Sequence, residues 1–171
     1  MENFLNRISS YNILNNFIPG AVFLYLSDKI LGIDFLVENQ ILNLALIYFM
    51  GMVASRVGSI FIESIFEEIK FIQRTKHKDF VKAEKKDSKI SALLETCNMY
   101  RTLVGMILLL FAEFVFVILC RCCPCVEKFK FVILCMILFL LFAFSYRKQT
   151  GYIKRRVKIK KKKGSDYKIQ N

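Results

Sequence analysis

The chain has 171 residues, enough for one domain, with a formal net charge of +12 although 55% of its residues are apolar. Its 7 glycines and 2 prolines are too few for a turn-rich β architecture or a low-complexity chain. A single histidine, His77, leaves little room for a histidine-based metal site or catalytic dyad. High charge and high apolar content are compatible here because the two are segregated along the chain.

The first apolar segment, residues 13–36, is the weakest candidate for crossing a membrane. Pro19 follows two asparagines and suits the start of a helix, whereas Asp28, Lys29 and Asp34 interrupt the outer half. We favour a spanning helix over a segment that enters the membrane and returns. It does not resemble a cleavable signal peptide, because no small-x-small cleavage site follows it.

Three further segments have the length that a hydrocarbon core requires: residues 41–62, 102–119 and 129–146. Each carries a single charged residue, which is Arg56 in the first, Glu113 in the second and Lys130 in the third. A soluble helix this apolar on all sides needs a large protein to bury it, and this chain is too short to do so. The sequence therefore predicts an all-α, polytopic membrane protein with four transmembrane helices.

The placement of lysine and arginine orients these helices. Residues 63–101 contain nine basic residues and residues 147–171 contain eleven, whereas the connection 120–130 contains three. Basic loops stay in the cytoplasm, and an even number of spans puts both termini there. We therefore expect a multi-pass protein of the inner (cell) membrane with both termini in the cytoplasm.

The region 63–101 is predicted to extend spans two and three as a cytoplasmic helical hairpin. Apolar residues recur at helical spacing in 63–74 and again in 88–101, with a charged short helix or loop between them. The apolar faces of this hairpin must be covered by each other or by neighbouring subunits. The transmembrane domain then comprises residues 1–146, and residues 147–171 form a basic, disordered cytoplasmic tail.

The tail contains a dense run of positive charge. The basic residues of this run, which covers 154–163, are Lys154, Arg155, Arg156, Lys158, Lys160, Lys161, Lys162 and Lys163. The preferred interpretation is a segment that lies on anionic lipid, with each basic residue contributing about 1 kcal/mol near the surface. The alternative is nucleic-acid or oligonucleotide binding through phosphate neutralisation, although the aromatic residues of a base-stacking platform are not interleaved with the charges.

Arg56 lies beside small residues within the second span. Gly51, Ser55 and Ser59 repeat every four residues, and Ala54 with Gly58 forms a second such pair. Small residues at this spacing allow helix backbones to approach closely. Because an ionisable residue within a span is costly, Arg56 is predicted to face a packed helix or a pore. The alternative is that its side chain extends to the lipid headgroups.

Glu113 lies near the middle of the third span. Its axial offset from Arg56 is about 7 Å by helix rise, so a buried ion pair between them is more plausible than two isolated charges. A protonated Glu113, or one that lines an aqueous path, remains an alternative.

Four cysteines occur within six residues: Cys120, Cys122, Cys123 and Cys125. Their spacing matches no zinc motif, so we interpret them as small apolar residues at a membrane turn, with Pro124 breaking the helix. A soft-metal site or disulfides are the alternatives. No phosphate loop, nucleophile elbow or paired acidic motif occurs, and the sequence predicts neither an enzyme nor a cofactor.

Three short stretches carry a resemblance: NNFIPG (15–20), SRVGS (55–59) with the following Glu63, and NMYR (98–101). Over about the first 110 residues they resemble small, uncharacterised bacterial multi-span membrane proteins. In architecture the chain also resembles the membrane effectors of Hailong-like and Kiwa-like anti-phage systems. The resemblance implies oligomers that either conduct ions or hold a cytoplasmic partner at the membrane. Hailong-like effectors are gated by oligonucleotides, which would give the basic tail a ligand.

We therefore expect a homo-oligomeric membrane effector or ion channel, gated through its cytoplasmic helices, that acts in bacterial anti-phage defence. A positive ring of Arg56 side chains would favour anions. The alternative is a non-conducting membrane anchor or scaffold for a cytoplasmic partner protein. A transporter is disfavoured because the four segments show no internal repeat.

Overall fold

The computed structural model describes residues 2–73, 75, 77–84, 87 and 89–168, and all regular structure within them is helical. The elements in chain order are α1 (Glu2–Leu26), a first π-helical turn (Ser27–Leu31), α2 (Gln40–Val57), a second π-helical turn (Gly58–Ile62), α3 (Glu63–Glu68), α4 (His77–Glu84), α5 (Lys89–Cys122), α6 (Pro124–Lys128) and α7 (Lys130–Lys168). The predicted all-α class is confirmed.

Three helical stretches among these residues are long and apolar enough to cross a membrane: Gln40–Glu68, Lys89–Cys122 and Lys130–Arg155. They contain the three strongest segments of the sequence. The first predicted segment lies in α1 and the first π-helical turn and is not among them, because Asn15, Asn16, Asp28 and Lys29 lower its mean hydropathy.

Helices α1 and α2 pack backbone to backbone through two glycines. A Cβ atom on Gly20 would lie 1.8 Å from the Ile47 carbonyl oxygen, and one on Gly51 would lie 1.7 Å from the Asn16 carbonyl oxygen. Both distances are far below van der Waals contact, so only glycine permits this approach. Asn39 begins α2 by accepting hydrogen bonds from two backbone N–H groups of its first turn.

Helix α5 packs against α2 through a second pair of glycines. A Cβ atom on Gly105 would lie 2.3 Å from the Ala54 carbonyl oxygen, and one on Gly58 would lie 2.4 Å from the Arg101 carbonyl oxygen. Apolar side chains from α1, α2 and α5 fill the space between these helices; their buried members are Phe23, Leu24, Ala54 and Met106. These contacts fix the register of α5 against α2.

Helix α7 touches the other helices along a narrow strip. Within its described side chains, only Leu141 and Ser145 are buried, and Leu141 packs against Val53 and Val57 of α2. The sequence predicts a disordered tail over 147–171, whereas the structure continues α7 to Lys168. Lysine and arginine favour the helix and no proline interrupts this stretch, so the helix continues past the apolar part.

The predicted extension of spans two and three is shorter than expected on one side. Helix α3 ends at Glu68, and the chain turns at Lys70, which adopts the left-handed conformation with φ of 58°. The Phe66 and Phe71 rings pack with their centroids 4.9 Å apart and stabilise this turn. Helix α5 begins at Lys89, so its first turns extend beyond the apolar segment as predicted.

Candidate functional site

The buried carboxylate of Glu63, the first residue of α3, lies close to two cationic side chains. Only 4% of Glu63 is exposed, and its Oε2 lies 2.8 Å from Lys148 Nζ and 3.4 Å from Arg101 Nη1. Ser59 Oγ donates to the same oxygen at 3.3 Å. We call these four residues, which are Ser59, Glu63, Arg101 and Lys148, the Glu63 cluster. It joins the three candidate spans, because Ser59 and Glu63 belong to the first, Arg101 to the second and Lys148 to the third.

The second π-helical turn brings two of these groups to one side. The Glu63 N–H donates to the Gly58 carbonyl five residues back, which inserts one extra residue into the helical turn. Lys148 Nζ also donates to the Ser59 carbonyl oxygen within this turn. Single π-helical turns of this kind occur frequently at functional sites. The turn therefore presents a carboxylate and a backbone acceptor to the same ammonium group.

The glycine contact described above positions the third member of the cluster. Because Gly58 carries no side chain, the backbone of α5 at Arg101 lies directly against α2, and the guanidinium reaches the Glu63 carboxylate. The side chains of Arg101 and Lys148 are each 27% exposed, so both cations are accessible to solvent, whereas the Glu63 carboxylate is buried. One buried carboxylate thus attracts two cations and offsets part of the repulsion between them.

A second polar contact lies further along α5. Ser27, which is fully buried in the first π-helical turn, donates from Oγ to Glu113 Oε1 at 2.8 Å. Within the described residues, the other carboxylate oxygen of Glu113 is buried and has no hydrogen-bond partner. The contact connects α1 to α5 at a distance from the Glu63 cluster.

The Arg56–Glu113 pair that the sequence favoured does not form within one protomer. Gly105 lies level with Ala54 and Gly58, which places Glu113 eight residues, or about 12 Å, further along α5. Glu113 bonds Ser27 instead. Arg56 is half-buried and makes no hydrogen bond or ion pair within the described part of the chain.

The predicted small residues of α2 and the second π-helical turn are buried against neighbouring helices. Gly51 contacts α1, Gly58 contacts α5, and both Ser55 and Ser59 are buried. The four-residue repeat Gly51, Ser55, Ser59 continues to Glu63, so the carboxylate lies on the same packed side of the helix. This continuation is the signal in the sequence that points to Glu63. Arg101 and Lys148 were missed as its partners because both were counted only as cytoplasmic charges.

The remaining predicted residues lie at the two ends of the bundle. Lys154 and Arg155 are exposed on α7. The side chains of the other basic residues lie outside the described residues: Arg156, Lys158, Lys160, Lys161, Lys162 and Lys163. At the opposite end, α5 stops at Cys122 and Pro124 begins α6, with Cys123 extended between them.

The cysteines of the 120–125 turn are free thiols. Within the described residues, no three histidine, cysteine, aspartate or glutamate side chains are placed to hold a metal ion.

Fold and site together describe a helical protein with three long apolar helices that are suited to cross a membrane, as in a multi-pass membrane protein. A buried charged cluster connects these three helices. No family model, curated protein or solved structure matches the chain.

Proposed function

We propose that the protein is a homo-oligomeric ion channel or membrane effector of the cell's inner membrane, gated through its cytoplasmic end. In this proposal α1 and the first π-helical turn form a fourth span beside the three long apolar helices. Both termini then lie in the cytoplasm together with the Glu63 cluster and the basic part of α7. The basic residue counts of 63–101 and 147–171 support this orientation.

The observation that carries the proposal is the Glu63 cluster. It connects the cytoplasmic ends of three spans through one carboxylate, and α7 is otherwise attached along a narrow strip. A helix held in this way has two arrangements, one with Lys148 bonded to Glu63 and one with Lys148 released to water. A signal that favours the released arrangement shifts the population toward it.

The basic part of α7 supplies a place for such a signal. Lys154 is exposed and lies six residues beyond Lys148 on the same helix, about 9 Å along its axis. A polyanion bound there competes electrostatically with Glu63 for the cations of α7. An oligonucleotide fits this chemistry and agrees with the architectural resemblance to anti-phage effectors. Opening of the oligomer would then depolarise the membrane of an infected cell.

Planar-bilayer recording of the purified full-length protein tests the proposal, with wild type compared with Glu63→Gln. We expect Glu63→Gln to raise the open probability without added ligand, because Lys148 loses its charged partner. Glu68→Gln is the matched control, since Glu68 is exposed and lies five residues further along the same helical stretch. Silent bilayers for wild type and Glu63→Gln, with and without oligonucleotide, would rule out conduction.

A non-conducting anchor or scaffold is the second candidate, and one observation favours it. Apolar side chains stay exposed on α3, on the turn that follows it and on the first turns of α5: Ile65, Ile69, Phe71, Leu93 and Leu94. An exposed apolar surface of this kind marks a protein contact. If the protein is a scaffold, cross-linking should recover a stoichiometric soluble partner that Ile69→Glu releases, and reconstituted protein should pass no ions.

A further inference from the structure

A shallow, open apolar groove lies along α7 where this helix passes α2. Phe49 of α2 lies at one edge, and the α7 side chains that form the rest of the surface include Leu138, Phe139, Phe142 and Tyr146. The Phe49 and Phe142 rings lie 6.1 Å apart, centroid to centroid. Since both helices are candidate spans, the groove lies within the depth of the acyl chains.

The cytoplasmic end of this groove is cationic. Arg147 follows Tyr146 directly and is exposed. Arg56 lies seven residues beyond Phe49, about 10 Å further along nearly the same side of α2. Neither arginine makes an ion pair within the described residues, and a long arginine side chain can extend to the headgroup level. The apolar groove therefore ends in two cations that lack a protein anion.

The positive charge at the cytoplasmic end of the groove indicates which kind of molecule binds there. A second copy of the chain packed here about a two-fold axis would bring two further arginines against the first two, and like charges repel. An anionic glycerophospholipid offers both complementary parts, an acyl chain for the groove and a phosphate for the arginines. We propose that the groove binds one acyl chain of such a lipid and that Arg56 and Arg147 hold its phosphate.

Lipid binding by the full-length protein in detergent tests this assignment. Native mass spectrometry compares dioleoyl phosphatidylglycerol with dioleoyl phosphatidylcholine, which has the same chains and no net charge. We expect the wild type to retain phosphatidylglycerol preferentially. Replacing either arginine by glutamine should weaken retention ~5-fold, and replacing both should weaken it ~25-fold, because each basic residue near the headgroup contributes similarly. Excess inorganic phosphate should not displace the lipid, since it offers no acyl chain.

Two further variants separate the groove from general surface effects. Ala143→Phe fills the groove and should abolish selective retention, whereas Ala112→Phe, on the exposed side of α5, should leave it unchanged. Arg121→Gln, at the opposite end of the bundle, controls for total charge. Equal retention of both lipids by the wild type overturns the proposal.

Two other outcomes would assign the groove to a different occupant. If Ala143→Phe dissociates the oligomer and leaves lipid retention intact, the groove is a contact between subunits. If Arg56→Gln changes conductance and not lipid retention, Arg56 faces a pore. Either result overturns the lipid assignment, and lipid retention is measured in both cases without any need for the wild type to conduct.

Discussion

Replacing Glu63 by glutamine should weaken the attachment of α7 and α5 to α2. The substitution keeps the side-chain size and removes the charge that Lys148 approaches at 2.8 Å and Arg101 at 3.4 Å. Breaking a fully buried pair costs about 3–5 kcal/mol. Both cations are 27% exposed and regain water, so we expect a smaller loss of about 2 kcal/mol.

Thermal unfolding in detergent, followed by circular dichroism, measures this loss. A change of about 2 kcal/mol lowers the midpoint by roughly 4–8 °C for a chain of this size. A double-mutant cycle of Glu63→Gln with Lys148→Gln isolates the pair, and its coupling energy should be about 1–2 kcal/mol. The corresponding cycle with Arg101→Gln should give a smaller value, because its distance to the carboxylate is longer.

The salt dependence distinguishes this cluster from a surface ion pair. Because Glu63 is only 4% exposed, raising the salt concentration should reduce the Glu63–Lys148 coupling only slightly. Glu68→Gln should leave the midpoint unchanged. A coupling energy indistinguishable from zero in both cycles would refute the assignment of the cluster as the connection between these helices.

Three further predictions concern packing, polar contacts and orientation. Gly51→Ala should destabilise the protein by about 1–3 kcal/mol because its Cβ would meet the α1 backbone, whereas Gly151→Ala, with open space around it, should be neutral or slightly stabilising by thermal melts. Ser27→Ala should cost about 1–3 kcal/mol in the same assay, since it removes a hydrogen bond to a partly buried carboxylate; an unchanged midpoint would contradict this role. A membrane-impermeant maleimide added to intact spheroplasts should label the cysteines of the 120–125 turn and not Cys97, whereas the opposite pattern would reverse the proposed topology.

The sequence predicts the three long spans because the length and hydropathy of a segment are local properties, which do not depend on tertiary contacts. The small-residue repeat from Gly51 to Ser59 likewise predicts a packed side of α2, and the structure places Gly51 and Gly58 at helix contacts. The repeat does not indicate which helix packs against this side of α2. The contact of Gly51 with α1, and of Gly58 with α5, depends on pairings between distant parts of the chain.

The partner of Glu113 was misjudged for the same reason. Axial offsets counted from the segment ends assume that neighbouring spans begin at the same depth. The Gly105 contact with Ala54 sets a different register, and it carries Glu113 away from Arg56 and toward Ser27. Lys148 was overlooked because a lysine at the start of a basic tail is expected to face solvent. Only the packing of α7 against α2 brings its ammonium group to Glu63.

The chemistry of the Glu63 cluster also argues for a regulated contact over a purely structural one. Well-packed apolar residues can replace a buried ion pair with little loss, and often with a gain, in stability. Stability alone therefore gives no reason to place one carboxylate and two cations where three candidate spans meet. A charged connection differs from an apolar one because another anion can compete for it. In the proposed lipid site, a phosphate bound at Arg147, beside Lys148 on α7, would change the electrostatic field at the Glu63 cluster, and the charge of the membrane would then influence how firmly α7 is held.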